Sequence, residues 1–416
     1  MAIVKPFICI RPNREAAAKV AALPYDVYNR QEACREVEGN PLSFLNIDRA
    51  ETQFPDSVDT YADCVYEKAR ELLDQRMADG TLITDGEEAY YIYELVMDGR
   101  AQTGIVACSS IDDYQNGIIK KHENTREDKE IDRIRHVDTT DAHTGPIFLA
   151  YRAVKRLDEI VASVKTEEPL YRFTAEDGIT HSVWKVGGQV LVQEIEGLFE
   201  QIPATYIADG HHRAASAVKV GLKRRKENPD YTGREPFNFF LSVLFPDEQL
   251  MIMPYNRVVK DLHDLSKEEF FDALSASFQV TCVGEKPYAP ERKGEFGMYL
   301  EDNWYRLVAK PGILSDDPVE GLDVSILQEY LLAPVLGIGD PRTDKRIDFI
   351  GGIRGLKELE RRVQEDMTVA FSMYPTSIGE LLAVADAGRL MPPKSTWFEP
   401  KLRSGLFIHK LTEVDA

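Results

Sequence analysis

The spacing of apolar and polar residues predicts both strands and helices along this chain. Two apolar runs, 89–96 and 102–109, flank Asp98-Gly99 and are typical of a β-hairpin. Apolar residues at helical spacing predict a helix over about 56–79 that ends before Gly80. Other predicted elements are strands at 6–10, 181–186, 205–207 and 237–245, and helices at 30–37, 127–137, 267–277, 324–332 and 378–387.

These elements predict an α/β (α+β) fold in three regions. An N-terminal α/β region is expected over 1–88, a central α/β unit over 89–260, and a C-terminal α/β region over 261–416. A chain of 416 residues is long enough to bury a large core and to form more than one domain.

Composition narrows the class of protein. The formal net charge of −20 disfavours nucleic acid and anionic membranes as partners, because both repel an acidic surface. The sequence contains no apolar run of about 18 residues, so no membrane span is predicted. The N-terminus also lacks the pattern of a signal peptide. Five scattered cysteines without CxxC spacing are typical of reduced thiols, so a cytoplasmic location is expected.

The stretch with the clearest chemistry is Asp209-Gly210-His211-His212-Arg213, here called the DGHHR turn. A β-branched and aromatic run precedes it, and an alanine-rich, helix-favouring run follows it. A helix start presents unpaired N–H groups and the positive end of the helix dipole, which attract anions. Arg213 would add a forked donor that suits phosphate oxygens. Local chemistry therefore favours a phosphate site, with a plain helix cap or a metal site as alternatives.

A second polar cluster follows the apolar pair Ile118-Ile119. Its residues Lys121, His122 and Glu123 combine a cation, an imidazole and a carboxylate. One interpretation makes Glu123 a general base or metal-linked carboxylate, with Lys121 and His122 near phosphate. The other is a solvated strand end, since runs of charge are usually exposed.

Two further segments carry candidate residues. Asp26, in the tetrad Pro24-Tyr25-Asp26-Val27, either lines a pocket beside the DGHHR turn or satisfies local backbone groups. Lys394, in a segment rich in proline, hydroxyls and cations, either faces phosphate or belongs to an ordinary closing segment.

The chain resembles a known family on several of these motifs together. The DGHHR turn is similar to the nucleotide-binding turn of ParB-type proteins, sulfiredoxin and free serine kinases. The wider set resembles the prokaryotic family named domain of unknown function 1015, and comprises Pro24 to Val27, Lys121 to Glu123, Ile207 to Arg213 and Met391 to Leu406.

This resemblance implies a ParB/sulfiredoxin-like nucleotide-binding core and a kinase that phosphorylates a small hydroxyl compound, most of all free L-serine. It implies ATP or ADP as donor, with Mg²⁺ bridging phosphate oxygens through Asp209 or Glu123. The expected catalytic residues are Glu123, His212 and Asp209. Nucleotide would contact Gly210, His211, His212, Arg213, Lys121 and Lys394, and the substrate would contact Asp26 and Arg257.

Two other functions fit the same motifs. A ParB-like nucleotide switch would bind and hydrolyse nucleotide without a small-molecule kinase activity. Sulfiredoxin-like thiol repair fits less well, because histidine stands where its reactive cysteine would be. The expected partners are nucleotide and a small molecule such as L-serine, without nucleic acid or membrane, and self-association into a homo-oligomer is left open.

Overall fold

The computed structural model describes residues 1–413 and divides the chain into two compact units. The first unit comprises residues 1–250 and 400–416, and the second comprises 251–399. The first unit thus contains the predicted N-terminal region, residues 89–250 of the predicted central region and the last segment of the predicted C-terminal region, while residues 251–260 lie in the second unit. The predicted α/β fold class is confirmed.

The first unit is built on a mixed sheet, nine-stranded within residues 1–413. In spatial order its strands are Ile119–Lys120, Thr205–Asp209, Ile147–Tyr151, Phe239–Pro246, Arg100–Ser110, Tyr90–Met97, Thr180–Val186 and Tyr171–Thr174, with Val4–Lys5 also paired to Arg100–Ser110. Two strand pairs are parallel: Thr205–Asp209 with Ile119–Lys120, and Phe239–Pro246 with Ile147–Tyr151. The first of these pairs determines where the candidate site lies.

The helices of this unit pack either on the sheet or in other parts of the unit, which include a separate N-terminal core. They are Ala17–Val20, Arg30–Glu36, Leu45–Asp48, Asp63–Ala78, Ile111–Gln115, Glu127–Thr140, Lys155–Val164, Gln189–Phe199 and His211–Glu227. The main core joins sheet residues such as Leu149 and Phe240 to helix residues such as Phe199 and Ala217. Short strand pairs, Ile10–Pro12 with Leu82–Thr84 and Ala142–His143 with His409–Lys410, complete the unit.

The second unit has an antiparallel sheet, six-stranded within the described chain. Its order is Phe278–Gly284, Asn303–Ala309, Glu295–Leu300, Val369–Met373, Tyr255–Val259 and Ile347–Gly351. Its helices are Lys267–Ser277, Asp323–Leu327, Leu356–Glu365 and Ile378–Asp386, and Gln328–Leu332 forms a π-helical turn. A separate strand pair joins Ile252–Met253 to Trp397–Phe398.

Two predicted elements differ from those observed. The strand expected at 6–10 is split into Val4–Lys5 and Ile10–Pro12, and Phe7 makes an isolated bridge to Ala89. The helix expected from about residue 56 begins at Asp63, because turns precede it and the Asp59 carboxylate accepts the Tyr61 N–H. Among the described residues, no helix is both long and apolar enough to cross a lipid bilayer.

Candidate functional site

The DGHHR turn joins the strand Thr205–Asp209 to the helix His211–Glu227. Gly210 makes this connection with φ of +94°, a conformation that residues with a Cβ rarely adopt. An added Cβ would also lie 3.1 Å from the Arg213 guanidinium. Glycine is therefore required here both by the backbone and by the close approach of Arg213.

The start of this helix suits an anion. Its N-cap residue is Gly210, which has no side chain to accept the first N–H groups, and the first helical bond runs from Ala214 N to Gly210 O at 2.9 Å. Three N–H groups before Ala214 thus lie at the positive end of a 17-residue helix. Arg224, Arg225 and Lys226 occupy its last turn, where cations offset the dipole.

Parallel strand pairing brings the second polar cluster to this turn. Thr205 and Tyr206 pair with Ile119 and Lys120, so the residues after Lys120 run alongside the DGHHR turn. His122, Glu123 and His211 consequently converge, with one potential ligand atom from each lying within 4.8 Å of the others. Glu123 Oε2 lies 3.7 Å from His211 Nδ1, and the rings of His122 and His211 meet edge to face at 4.5 Å.

Burial favours the neutral form of the histidines at this site. Burial lowers the pKa of His122 to about 4, against small opposing effects of the Ile207 carbonyl and Asp209. Burial, with the nearby His122, His212 and Lys121, also places the pKa of His211 well below its ordinary value. Neutral imidazoles can accept protons and ligate metals.

Asp209 is held by two cations. Its Oδ2 accepts a hydrogen bond from Arg213 Nη2 at 2.9 Å, and its Oδ1 accepts one from Lys401 Nζ at 3.1 Å. Burial favours the protonated acid, but Lys401 and Arg213 outweigh it and lower the pKa of Asp209. A Mg²⁺ ion bound to Asp209 would therefore share its carboxylate oxygens with these two cations.

Arg213 and His212 both make structural contacts in this arrangement. Besides Asp209, the Arg213 guanidinium donates to the Pro146 carbonyl. His212 Nε2 accepts the Arg126 N–H at 3.0 Å, which ties the segment after Glu123 to the helix. The two predicted phosphate ligands thus help to hold the turn and the Glu123 segment in position.

Lys121 and Asp26 lie near the same turn. Lys121 Nζ is 5.8 Å from the centre of the Tyr114 ring, and its charge contributes to the low pKa of His211. Asp26 lines a cavity of about 260 Å³ that also contains Tyr25 and Arg133. Arg133 stacks on the Tyr25 ring at 3.9 Å, and the Asp26 charge reaches His212.

This charged cavity contains residues that the sequence patterns did not single out. Arg133 and His136 are buried members of the helix Glu127–Thr140, and Asp48 and Arg49 complete the lining. The helix buries Glu130, Arg133, His136 and Thr140 at spacings of three and four residues. Polar residues on the buried face of a helix are the signal that would have identified this pocket.

The second unit contains the predicted ligands Arg257 and Lys394. Arg257 is 3% exposed, donates to the carbonyls of Tyr255 and Lys394, and stacks on Phe349. Lys394 Nζ lies 5.5 Å from the centre of the Tyr255 ring. Within this unit Arg257 also lines a cavity of about 890 Å³, so it remains a candidate for an anionic ligand.

Solved structures similar to the chain are distant from it. A conserved hypothetical protein from Pyrococcus furiosus is 16% identical (TM-score 0.34), and the match covers 74% of this chain and 95% of that protein. A free serine kinase variant in complex with AMP is 14% identical (TM-score 0.36), and the match covers 73% of this chain and 92% of that protein. SbnI from Staphylococcus aureus with a C-terminal truncation is 13% identical (TM-score 0.39), and the match covers 75% of this chain and 90% of that protein. Scores below 0.5 bear on neither activity nor substrate.

Sequence relationships are more definite. No functionally curated protein shows a significant match to the chain. The model of the family described as "Protein of unknown function (DUF1015)" matches residues 4–325, which include both polar clusters of the site. The chain therefore belongs to the DUF1015 family.

Proposed function

We propose that this protein is a phosphotransferase that moves a phosphate from ATP or ADP to the hydroxyl of a small molecule, with free L-serine as the first candidate. One observation carries the proposal: the Glu123 carboxylate lies 3.7 Å from His211 at an uncapped helix N-terminus. Phosphoryl transfer needs a base near the attacking hydroxyl and positive charge around the transferred oxygens.

The residues of the site divide these tasks. Glu123 would accept the proton of the hydroxyl, and the N–H groups of His211, His212 and Arg213 would face the phosphates. Lys121 and Lys401 would add positive charge, while Asp209, His212 and Arg213 would hold the turn in place. Mg²⁺ would neutralise charge as part of the nucleotide complex, since it usually keeps most of its ligands on phosphate and water.

The substrate end of the proposal rests on the charged cavity. Its lining offers acids, Asp26 and Asp48, for an ammonium group and bases, Arg49 and Arg133, for a carboxylate. A free amino acid carries both groups, and its size suits a volume of about 260 Å³. Serine is favoured over other hydroxy acids by the resemblance of the DGHHR turn to free serine kinases. Arg257 and Lys394, both in the second unit, remain proposed ligands for anionic groups.

The test is a direct assay. Purified protein is incubated with Mg²⁺, L-serine and either ATP or ADP, and O-phosphoserine is measured by mass spectrometry. Glu123→Gln is expected to lower turnover by about 100-fold or more while nucleotide still binds. Glu127→Gln, which changes an exposed acid nearby, is the matched control and is expected to retain activity.

Other outcomes would redirect the proposal. Full turnover in Glu123→Gln would remove the role assigned to Glu123. Nucleotide hydrolysis without any phosphorylated product would instead support the ParB-like switch. Nucleotide binding without either reaction would direct the search to other hydroxyl substrates.

A further inference from the structure

His122 and His211 are buried without the hydrogen bonds that buried imidazoles normally make. Their exposures are 2% and 5%. Both ring nitrogens of His122 and the Nε2 of His211 make no hydrogen bond of ordinary geometry, although the Ile207 carbonyl lies near enough to His122 to favour its charged form. An unsatisfied buried polar group costs about 1–3 kcal/mol, and a ligand that engages one nitrogen of each ring would relieve part of this cost.

The side chains that meet at these two rings could hold a metal ion. One ligand atom from each of His122, Glu123 and His211 lies within 4.8 Å of the others. Ligand atoms around a tetrahedral Zn²⁺ ion lie roughly 3.3 Å apart, given bond lengths of about 2.0 Å. Side-chain movements of about 1 Å would therefore bring the three atoms to bonding distance.

The ligand set decides which ions fit. Two imidazoles and one carboxylate suit divalent first-row transition metals, whereas Mg²⁺ prefers oxygen ligands in octahedral geometry. Asp209, the nearby carboxylate that would favour Mg²⁺, already pairs with Arg213 and Lys401. Three protein ligands also leave a coordination position open, as in catalytic rather than structural sites.

We propose that His122, Glu123 and His211 bind one divalent transition-metal ion of the Zn²⁺ class with an open coordination position. A carboxylate has two oxygens, so one oxygen of Glu123 can ligate the ion while the other remains available for a proton. An anionic oxygen of a ligand held at the start of the helix His211–Glu227 would complete the coordination. Metal binding does not depend on the proposed kinase activity.

The experiment measures metal binding without nucleotide or serine. Full-length protein without a polyhistidine tag is stripped with chelator and titrated with Zn²⁺ by calorimetry, and Co²⁺ absorption reports the ligand geometry. We expect the protein to bind one equivalent of Zn²⁺ tightly. Mg²⁺ at about 10 mM should not displace it. His122→Ala/His211→Ala is expected to weaken binding by at least about 100-fold.

Two further variants keep the result interpretable. His143→Ala removes another buried histidine with unpartnered nitrogens and is expected to leave Zn²⁺ affinity within about twofold. Glu123→Gln changes a half-exposed residue, so it serves if the double variant fails to fold. Zn²⁺ affinity unchanged in both His122→Ala/His211→Ala and Glu123→Gln, or displacement by Mg²⁺, would overturn the proposal. Absence of kinase turnover would not, because the readout is metal binding alone.

Discussion

Two pairs of buried histidines in the first unit have similar burial but different surroundings. His122 and His211 meet edge to face at 4.5 Å, and His143 and His409 stack at 5.7 Å. Burial lowers the pKa of His122 and of His409 to about 4 in both cases. Burial and a low pKa therefore do not by themselves identify a reactive site.

The difference lies in what else reaches each pair. Glu123 and an uncapped helix start adjoin His122 and His211. His409 instead donates from Nε2 to the Pro236 carbonyl at 3.0 Å and pairs with His143 across two short strands. Within residues 1–413, no carboxylate completes a three-ligand group around this second pair. We interpret the first pair as functional and the second as part of the packing.

The largest expected effect comes from removing each pair in turn. His122→Ala/His211→Ala should lower the rate of phosphotransfer by at least about 100-fold. Glu123 would lose the two imidazoles beside it, and the start of the helix would lose the imidazole of His211. His143→Ala/His409→Ala should keep turnover per folded molecule but cost about 3 kcal/mol of stability through lost packing. Equal losses of activity in the two double variants, at matched folded concentration, would end the distinction.

The second pair also predicts a dependence of stability on pH. Burial lowers the folded pKa of His409 to about 4, below the unfolded value, although the Pro236 carbonyl and Asp141 both favour the charged form. Its contribution is therefore complete above about pH 6.5 and is lost as pH falls towards 4, by about 3 kcal/mol. His409→Gln should lessen this loss. Urea unfolding at pH 7 and 4.5 measures it, and identical losses in both proteins would contradict the assignment.

A smaller effect should separate the two lysines of the C-terminal segment. Lys401 contacts Asp209 in the DGHHR turn, so Lys401→Ala should weaken nucleotide binding by about tenfold, as expected for one lost charge contact. Lys394→Ala changes the other lysine, the predicted phosphate ligand in the second unit, and its nucleotide affinity is compared with that of Lys401→Ala. Isothermal titration with ATP and ADP gives both affinities, and an unchanged affinity in Lys394→Ala would remove Lys394 from the phosphate site.

The smallest expected effect concerns the backbone of the turn. Gly210→Ala places a Cβ at positive φ and 3.1 Å from the Arg213 guanidinium, which should cost about 1–2 kcal/mol. Gly39→Ala is a control with similar φ but no atom within 4 Å of the added Cβ. Thermal unfolding measures the stability lost by each variant. If Gly210→Ala loses no more stability than Gly39→Ala, the contact with Arg213 adds nothing to the backbone strain.

The sequence predicted the site best where the signals were local. The predicted hairpin around Asp98-Gly99 is observed, with positive φ at both residues, and the helix Lys267–Ser277 has the predicted bounds. The strand–turn–helix at the DGHHR turn was also predicted and is observed. Each depends on a few neighbouring residues whose conformational preferences agree with the final structure.

What the sequence did not predict depends on contacts between distant segments. His122 meets His211 only because the strands Ile119–Lys120 and Thr205–Asp209 pair in parallel, and no local pattern specifies that pairing. Arg133 is an ordinary helix residue by propensity, and its buried position depends on Tyr25 stacking upon it. Tertiary packing therefore determined these positions.

The division of the chain has a consequence for its synthesis. Ile408 bridges to Ile10, Ser404 bridges to Ala22, and His409–Lys410 pairs with Ala142–His143, all within the first unit. Residues 251–399 therefore emerge from the ribosome before the segment that closes this unit. A nascent chain that stops short of residue 400 would lack Lys401 beside Asp209. Completion of the candidate site is thus expected to be among the last events of folding, after translation has passed through the whole of the second unit.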